Sequence, residues 1–341
     1  MPTGATILSG ALTGLQDLLS DGGLVPAELG CESGIPVGAW QNPRIEVPLA
    51  AFVRMYERGS SALHQPGVGW QSGPLLDLAD LGDLGRAVIS APTVGAALRT
   101  FVRFLQFVQS ETEMRLDVDD GVATLSYRIL NPDIWPRRQD AEFTLSVLRE
   151  LIASGAGGDF KPDFICFEHT PARPVAHWCE TTGVDCLFEC ETNSLSFPER
   201  ILDCALPRER GGGHRTALEE LTRQLIDRTR ARSITGRART AIYAGLGGQD
   251  VDQESIARQL GLSRRSLHRH LGEEGTRFSK LLDDCRFRVA RHALVDTSHP
   301  LAQIAFELSY SDQTAFERAF KRRTGMTPRQ YRHMTRRPKE S

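Results

Sequence analysis

The 341-residue chain lacks what several function classes require. It has no run of about twenty apolar residues, so nothing in it reads as a membrane-spanning helix. Its longest weakly charged stretch, residues 87–98, contains Pro92 and is bounded by Arg86 and Arg99. The start has no basic segment ahead of an apolar one, which argues against a secretory signal and for a cytoplasmic protein. The 7 cysteines are odd in number, scattered, and form no C-x-x-C pair. That is no disulfide framework, and it fits a reducing compartment. Lysine is scarce, at 4 of 41 basic residues. Arginine offers forked, planar contacts that suit phosphate and guanine, although the codon usage of a GC-rich genome accounts for the bias equally well.

Catalytic signatures are missing too. There is no G-x-S-x-G, no H-E-x-x-H and no Walker loop. The glycine-rich stretch 154–158 follows a helical pattern, whereas a dinucleotide fingerprint follows a strand. Glu142 and Glu150 fall on that helix, where a solvated face is expected. His169, His177, Cys179, Cys186 and Cys190 cluster within 22 residues, but their spacing fits no common zinc site. Small, buried cysteines are the simpler reading. The sequence therefore implies no catalytic residue, no metal and no cofactor, and an enzyme is not expected. Trp40, Trp70, Trp135 and Trp178 read as core residues in the main, with an effector-pocket wall as the alternative.

What is present is organised in two parts. Apolar content of 40% and charged content of 25% are those of a globular protein, and the length suggests two domains or three. The net charge of −2 conceals a split: residues 236–341 carry 20 basic and 12 acidic side chains, the remainder 21 and 31. A basic third beside an acidic body points to one module that meets a polyanion.

Periodicity gives the elements. Residues 7–19 place Ile7, Leu8, Ala11, Leu12, Leu15, Leu18 and Leu19 on one stripe, which predicts a helix stopped at Gly22 and Gly23. Further helices are predicted over 48–63 and 92–108, the latter capped by Ser90 or Thr93. Residues 114–129 then alternate, with Leu116, Val118, Val122, Leu125, Tyr127 and Ile129 inward, and turn at Asp120-Gly121 as a hairpin. A helix over 140–153, a buried strand over 163–169, a helix over 174–183 and a short strand at 195–197 complete an α+β region. Residues 207–213 read as a linker, 216–230 as an amphipathic helix and 245–250 as a second loose stretch.

Two helix-turn-helix patterns follow. In ESIARQLGLSRRSLHRHL, Ile256, Ala257 and Leu260 form an apolar face, Gly261 supplies the turn, Ser263 is the cap candidate, and Leu267 and Leu271 point inward. The outer face then carries Arg264, Arg265, His268 and Arg269, which suits the major groove. In LAQIAFELSYSDQTAFERAFKRRTG the pattern recurs: Ile304, Ala305 and Leu308, a cap at Ser311 or Asp312, then Phe316 and Phe320. Its outer face offers Asp312, Gln313, Thr314, Glu317, Arg318 and Lys321. Between the units, residues 278–297 read as one helix about 30 Å long, close to the ~34 Å of one DNA turn.

The stretch IAFELSYSDQTAFERAFKRRTGMTPRQYR closely resembles the signature of the AraC/XylS transcription regulators, over about residues 240–335. The segments IPVGAW, VPLAAFVRMYE, SAPTVGAALRTFVRFLQF, FEHTPARPVAHWCETTGVDCLFECETNSLSF and ERILDCALP resemble the arabinose-binding-like N-terminal domain of its ornithine-utilisation and virulence-regulator subgroup, more loosely and over about 10–205. The resemblance implies an α+β regulatory domain at 1–206, a linker with a helix at 207–235, an all-α DNA-binding domain at 236–335 and a tail at 336–341. Its helix-turn-helix units fall at about 253–272 and 301–324, joined by the long helix. It further implies a sequence-specific transcription regulator whose partners are promoter DNA, RNA polymerase, a small-molecule effector and a second copy of itself, with no membrane partner. Base-facing positions fall on Arg265, His268 and Arg269, then Gln313, Thr314 and Arg318; Arg264, Ser266, Asp312 and Glu317 flank them. Lys321 and Arg322, with Arg323, suit the DNA backbone. No ligand contact carries over to the first domain. Two positions depart from the family pattern. Ser309 stands where glycine is usual, at some cost to the turn unless serine tolerates the backbone angle. Glu317 stands where a small or neutral residue is common, and either accepts from a cytosine amine or, as favoured, pairs with Lys321 four residues on.

Overall fold

A computed structural model describes residues 5–172, 174–207, 213–231, 233–246, 251–296 and 299–335. The chain divides into two compact units, one of residues 1–129 and 134–227, the other of 130–133 and 228–341.

The first unit is α+β. Strand β1 (Thr6–Leu8) pairs antiparallel with β2 (Glu46–Pro48), setting Ile7 opposite Val47. Around this pair lie α1 (Thr13–Asp21), α2 (Pro26–Ser33), α3 (Leu49–Ala62), α4 (Val68–Ser72), α5 (Gly82–Ile89) and α6 (Val94–Phe104). The predicted helix over 7–19 is thus corrected to strand, one 3-10 turn over Ser9–Leu12, and then α1. Five of its apolar residues are still buried and Leu8 and Leu18 partly so, but β2 supplies a partner for the backbone of Ile7 that local periodicity does not reveal. The cap of α6 is Thr93, whose hydroxyl accepts from Ala96 N at 3.2 Å; the Ser90 hydroxyl donates to Ala87 O instead.

A five-stranded sheet follows in the order β3-β4-β7-β5-β6. Strands β3 (Thr112–Asp119) and β4 (Val122–Ile129) form the expected hairpin, with Asp120 and Gly121 both at positive φ, as a tight primed turn needs. Val118 and Val122 sit beside that turn and are exposed, against the inward placement expected for them, because the hairpin tip extends past the packed part of the sheet. Strand β7 (Asn193–Pro198) pairs antiparallel with β4 and β5 (Phe164–Cys166), and β6 (Asp185–Leu187) lies parallel to β5. The buried strand expected over 163–169 is therefore shorter.

Helix α7 (Arg138–Ala156) packs on the sheet, and α8 (Val175–Thr182) precedes β6. From Gln139 to Leu148 only Thr144 is partly exposed. The solvated face expected for Glu142 does not exist, because α4 closes it off: a Cβ on Gly69 would lie 2.0 Å from the Gln139 carbonyl oxygen. Trp178 and Trp70 are buried, Trp40 and Trp135 partly so.

The second unit is helical. It begins within α9 (His214–Ala231), whose Leu221 still belongs to the first core, and continues with α10 (Ile234–Gly245), α11 (Gln253–Gln259), α12 (Arg264–Glu273), α13 (Phe278–Asp296), α14 (Leu301–Glu307), α15 (Gln313–Thr324) and α16 (Pro328–Thr335). Most of the expected linker (208–212), most of the second loose stretch (247–250), Thr297 at the end of the long helix, and the tail 336–341 lie outside the described residues.

Candidate nucleic-acid interface

Each helix pair is built from its own apolar residues. In the first, Asp252 caps α11, accepting from Glu254 N and Ser255 N at 2.8 and 2.7 Å, while Ser255 reciprocates as a capping box. Ile256 and Ala257 are buried, Gly261 makes the turn at φ +70, and the Ser263 hydroxyl accepts from Ser266 N at 3.1 Å to start α12. Leu267 and Leu271 are fully buried beneath α12, which leaves Arg264, Arg265, His268 and Arg269 exposed on the other side. The Ser266 hydroxyl lies 2.9 Å from that of Ser263, so it is drawn into the cap. Arg269 approaches Glu273 at 3.7 Å, a loose exposed pair that competes weakly with a base or phosphate.

The second pair repeats this with different parts. Of the two cap candidates Asp312 holds the place: its carboxylate accepts from Ala315 N at 2.7 Å. That backbone N–H, then the Ser311 hydroxyl, keeps the carboxyl below its ordinary range. The turn holds Ser309 at φ +55, the counterpart of Gly261, while the Arg286 guanidinium donates to the Ser309 carbonyl at 2.6 Å and lies over the Tyr310 ring. Phe316 and Phe320 are buried in a chain of rings that includes Tyr310, Phe287 and Tyr331. Gln313, Thr314 and Arg318 are exposed on the outer face.

Two side chains behave otherwise than expected. The favoured Glu317–Lys321 pair is absent among the described ion pairs; Glu317 instead accepts from the Gln313 side-chain amide at 2.7 Å. Both arrangements lie one helical turn apart, and the shorter amide reaches with less loss of rotamer freedom. The bond leaves Gln313 its amide oxygen and a second N–H, the pair that adenine needs. Arg323 turns back on α13, pairing with Asp284 at 2.7 Å and covering the Phe287 ring, whereas Lys321 and Arg322 remain exposed.

Helix α13 connects the two cores. Leu281, Leu282 and Cys285 pack into the first, Ala290, Leu294 and Phe287 into the second, and Val289 touches both. Helix α16 closes the second unit: its Thr327 hydroxyl accepts from Gln330 N, Tyr331 meets Phe320 edge-on, and Arg332 donates to the carbonyls of Leu294 and His299.

Sequence periodicity did not reveal a second polar cluster, which lies within the first unit. Arg137 pairs with Glu168 through two hydrogen bonds of 2.7 and 2.9 Å, the Glu57 carboxylate accepts from Gln139 N, and the Tyr127 hydroxyl donates to Asp140 at 2.7 Å while accepting from Gln109. Burial raises Asp140 to about 7, the Tyr127 bond and Arg137 opposing it. The sequence around Glu142, RQDAEFTLS, is itself polar and gave no local signal of this burial. Cys179, Cys186 and Cys190 are free thiols, and among the described residues no three His, Cys, Asp or Glu side chains are placed to hold a metal ion. No helix among them is long and apolar enough to cross a membrane.

Paired helix-turn-helix units on a shared helix, each turning cations outward, define a double-headed DNA-binding protein. Comparison with known proteins agrees. The description "Arabinose-binding domain of AraC transcription regulator, N-term" matches residues 23–206, and "Helix-turn-helix domain" matches 256–334. The chain belongs to the AraC family, and it is a DNA-binding transcription regulator rather than an enzyme. It is 26% identical to the ornithine utilization regulator of Pseudomonas aeruginosa, over 93% of this chain and 94% of that one. It is 29% identical to the HTH-type transcriptional regulator VirS of Mycobacterium tuberculosis, over 97% and 98%. The crystal structure of the transcriptional regulator CdpR from Pseudomonas aeruginosa aligns over 94% of this chain and 96% of that one, at 21% identity and a TM-score of 0.46.

Proposed function

We propose that α12 and α15 enter successive major grooves on one face of the operator. Arg265, His268 and Arg269 read one segment, and Gln313, Thr314 and Arg318 the next. Arg264, Ser266, Asp312 and Glu317 support them, the last by holding Gln313, while Lys321 and Arg322 anchor phosphates. The observation that carries this reading is α13, shared by both cores. Its 19 residues span about 28 Å, near the ~34 Å between successive grooves. Hydroxyl-radical footprinting of the full chain on selected sites should show two protected patches about ten base pairs apart on the same face. A single patch overturns the reading.

Residues 1–206 form the regulatory domain in this reading, 207–235 the connection, 236–335 the DNA-reading domain and 336–341 a tail. The regulatory domain senses a small molecule or mediates self-association, and the regulator acts in the cytoplasm through RNA polymerase at its promoters. The domain match over 23–206 supports the sensory part. Deleting residues 1–206 should change promoter output in a reporter strain; unchanged output under every growth condition overturns that part.

A further inference from the structure

The start of α7 brings more hydrogen-bond acceptors than donors into the first core. Glu142 is 0% exposed, and neither of its carboxylate oxygens has a hydrogen-bond partner among the described residues. His169 Nε2 stands 3.6 Å from Glu142 Oε1 and lacks such a partner as well. The other ring nitrogen, Nδ1, lies 3.0 Å from the Thr170 carbonyl oxygen, which only accepts. The proton therefore sits on Nδ1, and Nε2 is left as a bare acceptor. Burial pulls His169 down to about 4, so the ring is neutral near pH 7. Two acceptors thus face each other with no donor between them, and 3.6 Å is too long for a protonated Glu142 to bond Nε2 directly.

The surrounding groups cannot fill the gap. Glu168 is held by Arg137 and Glu57 by the backbone of Gln139, while Asp140 keeps one oxygen without a partner. The charge of Arg138 acts on both Glu142 and His169, but its buried Nε reaches no acceptor, and neither Glu142 oxygen nor His169 Nε2 has a hydrogen-bond partner among the described residues. Beside the pair stands an aromatic wall. Phe167 lies 5.0 Å from the His169 ring and Phe188 5.6 Å, and Trp178, 2% exposed with its indole N–H unpartnered, lies 5.7 Å from Phe167. A group that meets this set carries at least two N–H donors and a positive charge, and tolerates aromatic faces. An anion is repelled by Glu142, and among the described residues too few ligands gather for a metal ion.

We propose that Glu142 and His169 bind the cationic nitrogen of an amine effector, a primary ammonium or a guanidinium, against the wall of Trp178, Phe167 and Phe188. The proposal rests on the effector-sensing reading of the first unit. Burial and Glu57 push Glu142 well above the ordinary carboxylate range, with Arg138 and the Gln139 amide opposing only in part.

The test uses the full chain with butylamine and agmatine as probes, and 1-butanol and butyrate as neutral and anionic controls. The amines should raise the melting temperature at millimolar concentration and the controls should not. Glu142→Gln should weaken amine binding at least ~10-fold. It should also raise the melting temperature of the free protein, because a buried acid without a partner is removed. If Glu142→Gln does not fold, His169→Asn read the same way decides the matter. Equal amine binding by wild type and variant, or a water between Glu142 and His169 in a structure at saturating amine, overturns the site. A shift with butyrate or butanol alone overturns the cationic class and leaves effector sensing standing. Unaltered promoter output on deleting residues 1–206 would instead remove the reading on which the proposal rests.

Discussion

The two helix-turn-helix units share one plan and differ in how they hold it. The first turns on Gly261, is capped by a serine, and packs with leucines; its recognition face is three arginines and a histidine. The second turns on Ser309, is capped by an aspartate, and packs with rings; its face is mixed and tied to itself through Gln313 and Glu317. An arginine on a long, flexible stem can bring its planar fork to many phosphate and base arrangements. A pre-oriented amide adapts to few. The comparison teaches that one plan can carry two unlike faces, one of free cations and one whose amide is already oriented.

Core truncation is the largest way to break the comparison. Phe316→Ala should cost ~3–5 kcal/mol and Leu267→Ala ~2–5 kcal/mol in denaturant unfolding, with the aromatic site the more sensitive. A larger loss at Leu267 reverses that order and removes the claim that rings secure the second unit. Base reading comes next. Arg269→Ala and Gln313→Ala should each lose ~1–3 kcal/mol at their own base pair. Binding-site selection should place the two relaxed positions about ten base pairs apart. Relaxation at one shared position would end the two-groove account.

The turns differ by less. Ser309→Gly should stabilise the protein by ~1 kcal/mol, because glycine adopts positive φ freely, and Gly261→Ser should cost about the same. Nothing lies within 4 Å of a Cβ added at Gly261, so that cost is a backbone effect alone. Equal melting temperatures for both variants and wild type would show the turns to be interchangeable. The smallest effect concerns phosphate. Lys321→Ala should lower the log–log salt slope of binding by roughly one. Arg323→Ala should leave it unchanged, since Asp284 already holds that guanidinium.

The second unit was legible because its apolar residues recur at helical spacing and each helix finds its neighbour nearby in the chain. The first was legible only where partners are local, as in the β3–β4 hairpin. Ile7 belongs to a strand because Val47 lies opposite it, and no window of residues 7–19 contains that information. Glu142 is buried because α4 approaches α7 at Gly69, seventy residues away. The partner of Glu317 is not legible for another reason: Gln313 and Lys321 stand four residues to either side, and spacing cannot choose between them. The outward arginines of α12 needed no tertiary information.

Helix α13 is a protractor as well as a ruler. Each residue along it advances the axis by ~1.5 Å and turns it by ~100°. Because Val289 belongs to both cores, neither unit can slip along this helix to correct a change in its length. One residue inserted after Cys285 would swing α15 about a quarter-turn away from the DNA face that α12 meets, although the reach would hardly alter. If both helices read one DNA face, operators for this protein are constrained in phase more tightly than in distance, and half-site spacing should drift in evolution only together with the length of this helix.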